Sequence, residues 1–166
     1  MNYSKIKKFD ATNWDGINTT IFFSGCKFKC KGCFNSDIWD FNTGEEFTDE
    51  VMTIFIEYAK SKHVDGVCIL GGEPFQQDLD MMLYFVKRLK DEVNKPIHIW
   101  SGFLFEQLIT NPPTRLILEY VDTLVDGQFV LGKKDLSLKY RGSSNQRVID
   151  VQESIKENKT VLYKYD

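Results

Sequence analysis

The sequence predicts an α/β fold, an open or partial βα barrel of about five or six mainly parallel strands. Two observations predict this. Apolar runs alternate with helical patterns along most of the chain, which implies βαβ units. Four distinctive segments, GCKFKCKGC, GGEPF, WSGF and DGQF, each follow a run that reads as a strand. Functional loops of parallel α/β folds lie at those strand ends. Length limits the architecture: 166 residues suit one domain, residues 1–166, with a proper core. A complete eightfold barrel typically needs more than about 200 residues.

The elements follow in order. TTIFFSG (19–25) is β-branched and aromatic, ends at a glycine and reads as a strand. From Thr48, TDEVMTIFIEYAKSK reads as a helix, with Thr48 as its cap and Asp49 and Glu50 at the positive end of its dipole. DGVCILGG (65–72) is a short apolar run between glycines, hence a buried strand. Residues 76–93 form a helix, with Leu79, Met82, Val86 and Leu89 at helical spacing and charges opposite. PIHIWSG (96–102) is a further strand, and FLFEQLI a short helix closed by NPP. RLILEYVDTLVDGQF reads as a helix running into a strand at Val121–Val125. From about Lys133 the chain is polar and less regular, and RVIDVQ and TVLYKY read as short strands or extended arms.

Bulk properties exclude several function classes. Hydrophobic residues make up 42% and aromatics 14%, which describes a globular chain. Net charge is −3 with a pI near 5.5, so no global charge favours nucleic acid or a bilayer surface as partner. The N-terminus MNYSKIKKFDATNW lacks the apolar core of a signal peptide, and no apolar run approaches the roughly 20 residues that span a membrane. The expected compartment is the cytosol, where clustered cysteines bind metal or do redox work.

Cys26, Cys30 and Cys33 lie within eight residues, and only Cys68 stands elsewhere. A structural zinc site wants four ligands, and neither His63 nor His98 belongs to an obvious second ligand pair. A redox pair at Cys30 and Cys33 leaves Cys26 unexplained. A four-iron cluster held by three thiolates uses all three and keeps one iron open for a substrate or cofactor. Zinc and isolated thiols remain alternatives on spacing alone. Cys68, inside the apolar run VCIL, reads as core.

Gly71 and Gly72 of GGEP let backbone come close to a ligand, and Pro74 holds the turn. One βα unit after a three-thiol loop, this combination resembles the radical S-adenosylmethionine (SAM) superfamily. SGCKFKCKGCFN, LGGEPF, WSGF, LVDGQF and RGSSNQRVID together resemble, in order and spacing from about Asn18 to Asp150, the family that activates anaerobic ribonucleoside-triphosphate reductase. DGQF with RGSSNQR carries the narrower likeness. Gly32 departs from the aromatic that many superfamily members place before the third cysteine.

The resemblance implies a partial barrel of the radical SAM type, a 4Fe-4S cluster on Cys26, Cys30 and Cys33, and SAM chelated to the fourth iron. Reductive cleavage of SAM would give a 5′-deoxyadenosyl radical, which would take a hydrogen from a glycine Cα–H of the large reductase subunit. No protein acid or base is needed, so no catalytic side chain is expected. Gly32, Cys33 and Phe34 should lie along the cofactor, with Phe34 against adenine, and Gly71, Gly72 and Glu73 should meet its amino group. Asn35 is a candidate to orient the loop. Ser101, Gly102 and Asp126 should face the same mouth, with Trp100 and Phe103 as packing. Arg141 and Arg147 either clasp the reductase or cap the open barrel. Lys27, Lys29 and Lys31 are surface residues or receive an acidic donor such as a flavodoxin. Competing functions are activation of another glycyl-radical enzyme, a small radical SAM ring-modifying enzyme, and a zinc- or cluster-bearing interaction module.

Overall fold

The structure, a computed structural model, describes residues 1–164. Among these, seven strands form one sheet: β1 (Asn2–Asp10), β2 (Asn18–Phe23), β3 (Glu45–Glu46), β4 (Gly66–Gly71), β5 (Ile97–Trp100), β6 (Thr123–Asp126) and β7 (Arg147–Asp150). The spatial order is β3-β1-β2-β4-β5-β6-β7, and the sheet is open. The α/β class holds, while the expectation of five or six mainly parallel strands is corrected. Only β2, β4, β5 and β6 run parallel, with β1, β3 and β7 antiparallel at the edges. The added strands have a physical reason. β1 alternates half-buried and exposed positions and leaves lysines in solvent, as suits a strand near a sheet edge that must not attract further pairing. β7, within the expected RVIDVQ run, returns antiparallel on β6. Of TVLYKY, Leu162 bridges Ile149, while Tyr165 lies outside the described residues.

The helices are α1 (Asp49–Ala59), α2 (Leu79–Glu92), α3 (Phe105–Thr110), α4 (Pro112–Leu118) and α5 (Val151–Glu157). Thr48 caps α1 by accepting from the Val51 amide, as expected. Asp78 caps α2, three residues inside the expected start, because Pro74–Gln76 forms a 3-10 turn first. NPP closes α3 as expected, with Asn111 as its C-cap, and it also opens the next helix. Pro112 and Pro113 open α4, where a missing N–H is harmless and the fixed φ suits the first turn. α5, whose first residue follows directly on β7, was not expected.

Strand periodicity sorts the core into two faces. Ile21, Phe23, Val67, Ile69, Ile97 and Ile99 pack with Phe55, Met82, Phe85 and Leu89 of the helices. Cys68, Leu70, Val125 and Val148 face the other way, covered by Trp14 with the partly buried Phe22, Trp100, Tyr140 and Tyr163. The parallel strands are thus buried on both faces, which is why they read as unbroken apolar runs. Among the described residues no helix is long and apolar enough to cross a membrane.

Candidate functional site

The C-terminal ends of β2, β4, β5 and β6 deliver the four distinctive segments to one place. A cavity of 410 Å³ there is lined by Cys26, Cys30 and Cys33, by Phe34, by Gly71, Gly72 and Glu73, and by Ser101 and Gly102. The three thiols are free and half-buried. Burial raises the Cys26 thiol, while the amides of Phe28 and Lys29 oppose that by favouring the thiolate. Burial also raises Cys30, whose sulfur is favoured as thiolate by the Phe129 amide. The Asn35 amide donates to the Cys33 sulfur at 3.4 Å. Each sulfur therefore has backbone N–H groups directed at it, which suits a bound thiolate.

Among the described residues no three His, Cys, Asp or Glu side chains converge as donors to one metal ion. The thiols surround a volume instead. A zinc ion needs its donors about 2.3 Å from one centre, whereas a four-iron cluster takes each thiolate on a separate iron. The arrangement fits the second.

Glycine brings the loops together. A Cβ on Gly72 would lie 2.3 Å from the Gly25 carbonyl oxygen, so its close approach is to the cysteine loop itself. The Gly72 amide donates to Phe23 O at 2.7 Å and the Glu73 amide to Gly25 O at 2.8 Å. Glu73 is fully buried. Its carboxylate accepts from the Ser101 hydroxyl (2.8 Å), the Gly102 amide (2.7 Å) and the Phe75 amide (3.0 Å). Burial nevertheless pushes its pKa up to about 7. Glu73 thus ties the β4 loop to the β5 loop.

Asn35 donates to Gly71 O at 3.1 Å and joins the cysteine loop to GGEP. Side-chain amides from the next residues complete the attachment. Gln76 accepts from the Lys27 amide at 2.7 Å, and buried Gln77 donates to Ser24 O (3.0 Å) and Gly25 O (3.3 Å). Sequence reasoning missed both glutamines. Their signal was two adjacent long amides directly after a ligand-approaching turn.

Two expected site residues do not border the cavity. Gly32 is exposed with φ +76, and a Cβ there would meet Leu131 at 2.9 Å, so it turns the loop from outside. Asp126 is wholly buried and paired with Arg147, at 3.0 Å to Nε and 2.5 Å to Nη2, and it accepts the Phe105 amide at 2.8 Å. Arg147 also reaches Glu106, at 3.1 and 2.8 Å.

RGSSNQR lies against DGQF. Gln146 donates to Gly127 O at 2.9 Å while accepting the Gly142 and Ser143 amides, and Asn145 donates to Gln128 O at 2.9 Å. Arg141 lines the cavity and donates to Gln146 O at 3.0 Å. Trp100 lines it too, its indole N–H on Tyr140 O at 2.7 Å. Phe103 packs edge-on against Phe28 at 4.8 Å. Of the histidines, His63 is exposed, and His98 is buried with Nδ1 2.6 Å from the Thr123 hydroxyl. Cys68 is fully buried, and burial pushes its thiol far above the usual range.

A family model described as a 4Fe-4S single cluster domain matches residues 12–149. The chain is 36% identical over 150 residues to the anaerobic ribonucleoside-triphosphate reductase-activating protein of Pasteurella multocida, covering 88% of this chain and 95% of that one. It is 35% identical over 152 residues to the protein of that name from Escherichia coli K12, covering 89% and 97%. Against the one from Enterobacteria phage T4 the identity is 30% over 154 residues, covering 89% and 93%.

Proposed function

Since this chain belongs to the family of anaerobic ribonucleoside-triphosphate reductase-activating proteins and to the 4Fe-4S single cluster domain family, we propose that it is a radical SAM activase that installs a glycyl radical on that reductase. The observation that carries the reading is the meeting of three free thiols with the GGEP and WSGF loops around one cavity. Cys26, Cys30 and Cys33 would hold the cluster. When bound, the cluster would supply the one-electron reducing power for splitting SAM into methionine and a 5′-deoxyadenosyl radical, the species that would draw hydrogen from a glycine of the large subunit.

The chain's own residues bind and orient. Backbone at Gly71 and Gly72 borders the space for the methionine end of SAM, and Ser101 and Glu73 fix the loop beside it. Phe34, at the rim, offers a ring face to adenine. Phe28, Phe129 and Trp100 form apolar walls that keep water from a carbon radical. Asp126, held by Arg147, anchors the start of the DGQF loop, and the Gly32 turn sets Cys33, so both position the site from outside it. No side chain need transfer a proton.

Within this reading the sheet is the open partial barrel of a single radical SAM domain. Clustered free thiols of this kind belong to the cytosol. A flavodoxin-like protein is the electron donor. Cys26 also lines a second groove with Lys27, Lys29, Asp37 and Asp40, which offers a donor a separate approach to this thiol.

The test is anaerobic reconstitution. About four irons and four sulfides per chain, release of 5′-deoxyadenosine on reduction, and a glycyl-radical signal on added reductase are expected. One zinc per chain with no SAM cleavage would make the protein an interaction module instead.

A further inference from the structure

The cavity mouth carries an apolar rim that the fold does not use. Leu136 is 75% exposed, Phe34 60%, Leu131 44% and Val130 40%. Leu136 and Phe34 line the cavity, while Leu131 stands beside Gly32 on the cysteine loop. Isolated exposed leucines are ordinary, but four large apolar residues around one opening mark an interaction surface.

The rim is built rather than loose. Phe34 meets Phe129 at 5.4 Å, and Gly142 leaves room for both rings, since a Cβ there would lie 3.0 Å from each. The strap from Val130 to Leu138 is tied back at Val130 and from Lys133 to Asp135. Val130 N donates to Ser143 Oγ at 3.2 Å, Lys134 bridges Ser143, Asp135 N donates to Gly142 O at 3.1 Å, and Ser144 N donates to Lys133 O at 2.9 Å. A preformed surface loses little conformational freedom on binding. Its border is basic. Lys31, Lys133 and Lys134 are exposed, with Lys134 over the Phe34 ring at 5.2 Å, and Asp135 is occupied by Ser137.

We propose that the strap Val130–Leu138, with Phe34, is the docking surface for the glycine-bearing segment of the partner reductase, and that this segment reads it through apolar side chains flanked by carboxylates. The inference rests on the activase reading. A radical formed beside the thiols reaches a partner's backbone only through this mouth, so the partner's segment must lie against the mouth's rim. The lysines supply the charge complement for an acidic flank. Arg141 and Arg147 are not the anchors, because both are engaged within the chain, with Gln146 O and with Asp126 and Glu106.

Val130→Asp with Lys133→Glu tests this on the reconstituted protein and the purified large subunit. Neither residue borders the cavity, so iron content and SAM cleavage driven by a chemical reductant should match wild type. The reductase concentration giving half-maximal glycyl-radical signal should rise on the order of tenfold or more, and direct binding should weaken in parallel. Wild-type binding and radical yield in the variant would overturn the surface while leaving the activase reading intact. Loss only of reduction by a flavoprotein would give the strap to the electron donor, and loss of chemically driven cleavage would give it to the cofactor site. Either result overturns the proposal. A wild-type protein that forms no radical on the reductase would remove the activase reading, and the surface with it.

Discussion

Arg147 closes on Asp126 through two nitrogens, Nε to Oδ1 at 3.0 Å and Nη2 to Oδ2 at 2.5 Å, beneath the loop that carries Gly127 and Gln128. Asp126 has no exposure to solvent, so the pair holds a charge that cannot stand alone. Arg147→Ala should lower unfolding free energy by about 3 kcal/mol, the usual effect of stranding a buried carboxylate. Urea denaturation measures it. Unchanged stability would mean that the pair contributes nothing and that Arg147 is available for a partner.

The thiols divide by position. Cys26→Ala, Cys30→Ala and Cys33→Ala should each lose cluster absorption and SAM cleavage. Cys68→Ala, which removes one sulfur from a packed face, should retain both and lose about 1 kcal/mol of stability. Loss of iron from the Cys68 variant alone would reassign the ligands.

Gly72→Val tests which neighbour the glycine accommodates. Its Cβ would stand 2.3 Å from Gly25 O and 2.8 Å from Gly25 C, both backbone atoms that can yield only by moving the cysteine loop. The variant should therefore lose iron as well as SAM affinity. A full cluster with weakened SAM binding would instead make the glycine a purely ligand-facing residue.

His98 should make the protein sensitive to acid. Burial, with repulsion from Lys90, lowers its pKa to about 3, against a partly offsetting pull from Asp15. The unfolded ring binds a proton near pH 6.5, so unfolding takes up a proton below that value. Its contribution to stability is therefore full above about 6.5 and is lost as pH falls toward 3. His98→Phe should be less stable at neutral pH, because the Thr123 hydroxyl loses its partner. It should also flatten the fall in stability between about pH 6.5 and 3. An equal slope in both proteins would place the acid sensitivity elsewhere.

What the sequence made legible was what its periodicity and turn chemistry encode locally. The four parallel strands, the Thr48 cap and the convergence of GGEP and WSGF on the cysteines follow from apolar runs and the glycines after them. β1 was hidden because its mixed lysines and apolar residues show no clean alternation and both its pairing partners lie downstream. α5 was hidden because its seven residues are too few to show a helical period. Asp126 was misplaced for a different reason. A strand-end carboxylate looks the same in sequence whether it faces a ligand or an arginine 21 positions away. Gln76 and Gln77 went unread because they act through long-range hydrogen bonds to backbone, and their one local mark is their place directly after the GGEP turn.

Those two glutamines have a consequence for how the protein endures. Gln76, Gln77, Asn35 and the Glu73 amide hold the cysteine loop by hydrogen bonds from the chain alone. In small metal-dependent modules the ion is the keystone, and stripping it releases the fold. Here the keystone is amide nitrogen and oxygen, so damage to the inorganic core is an injury to a part and not to the whole. The chain stripped of iron should therefore keep its fold, and an oxidised centre should be rebuildable on the same polypeptide.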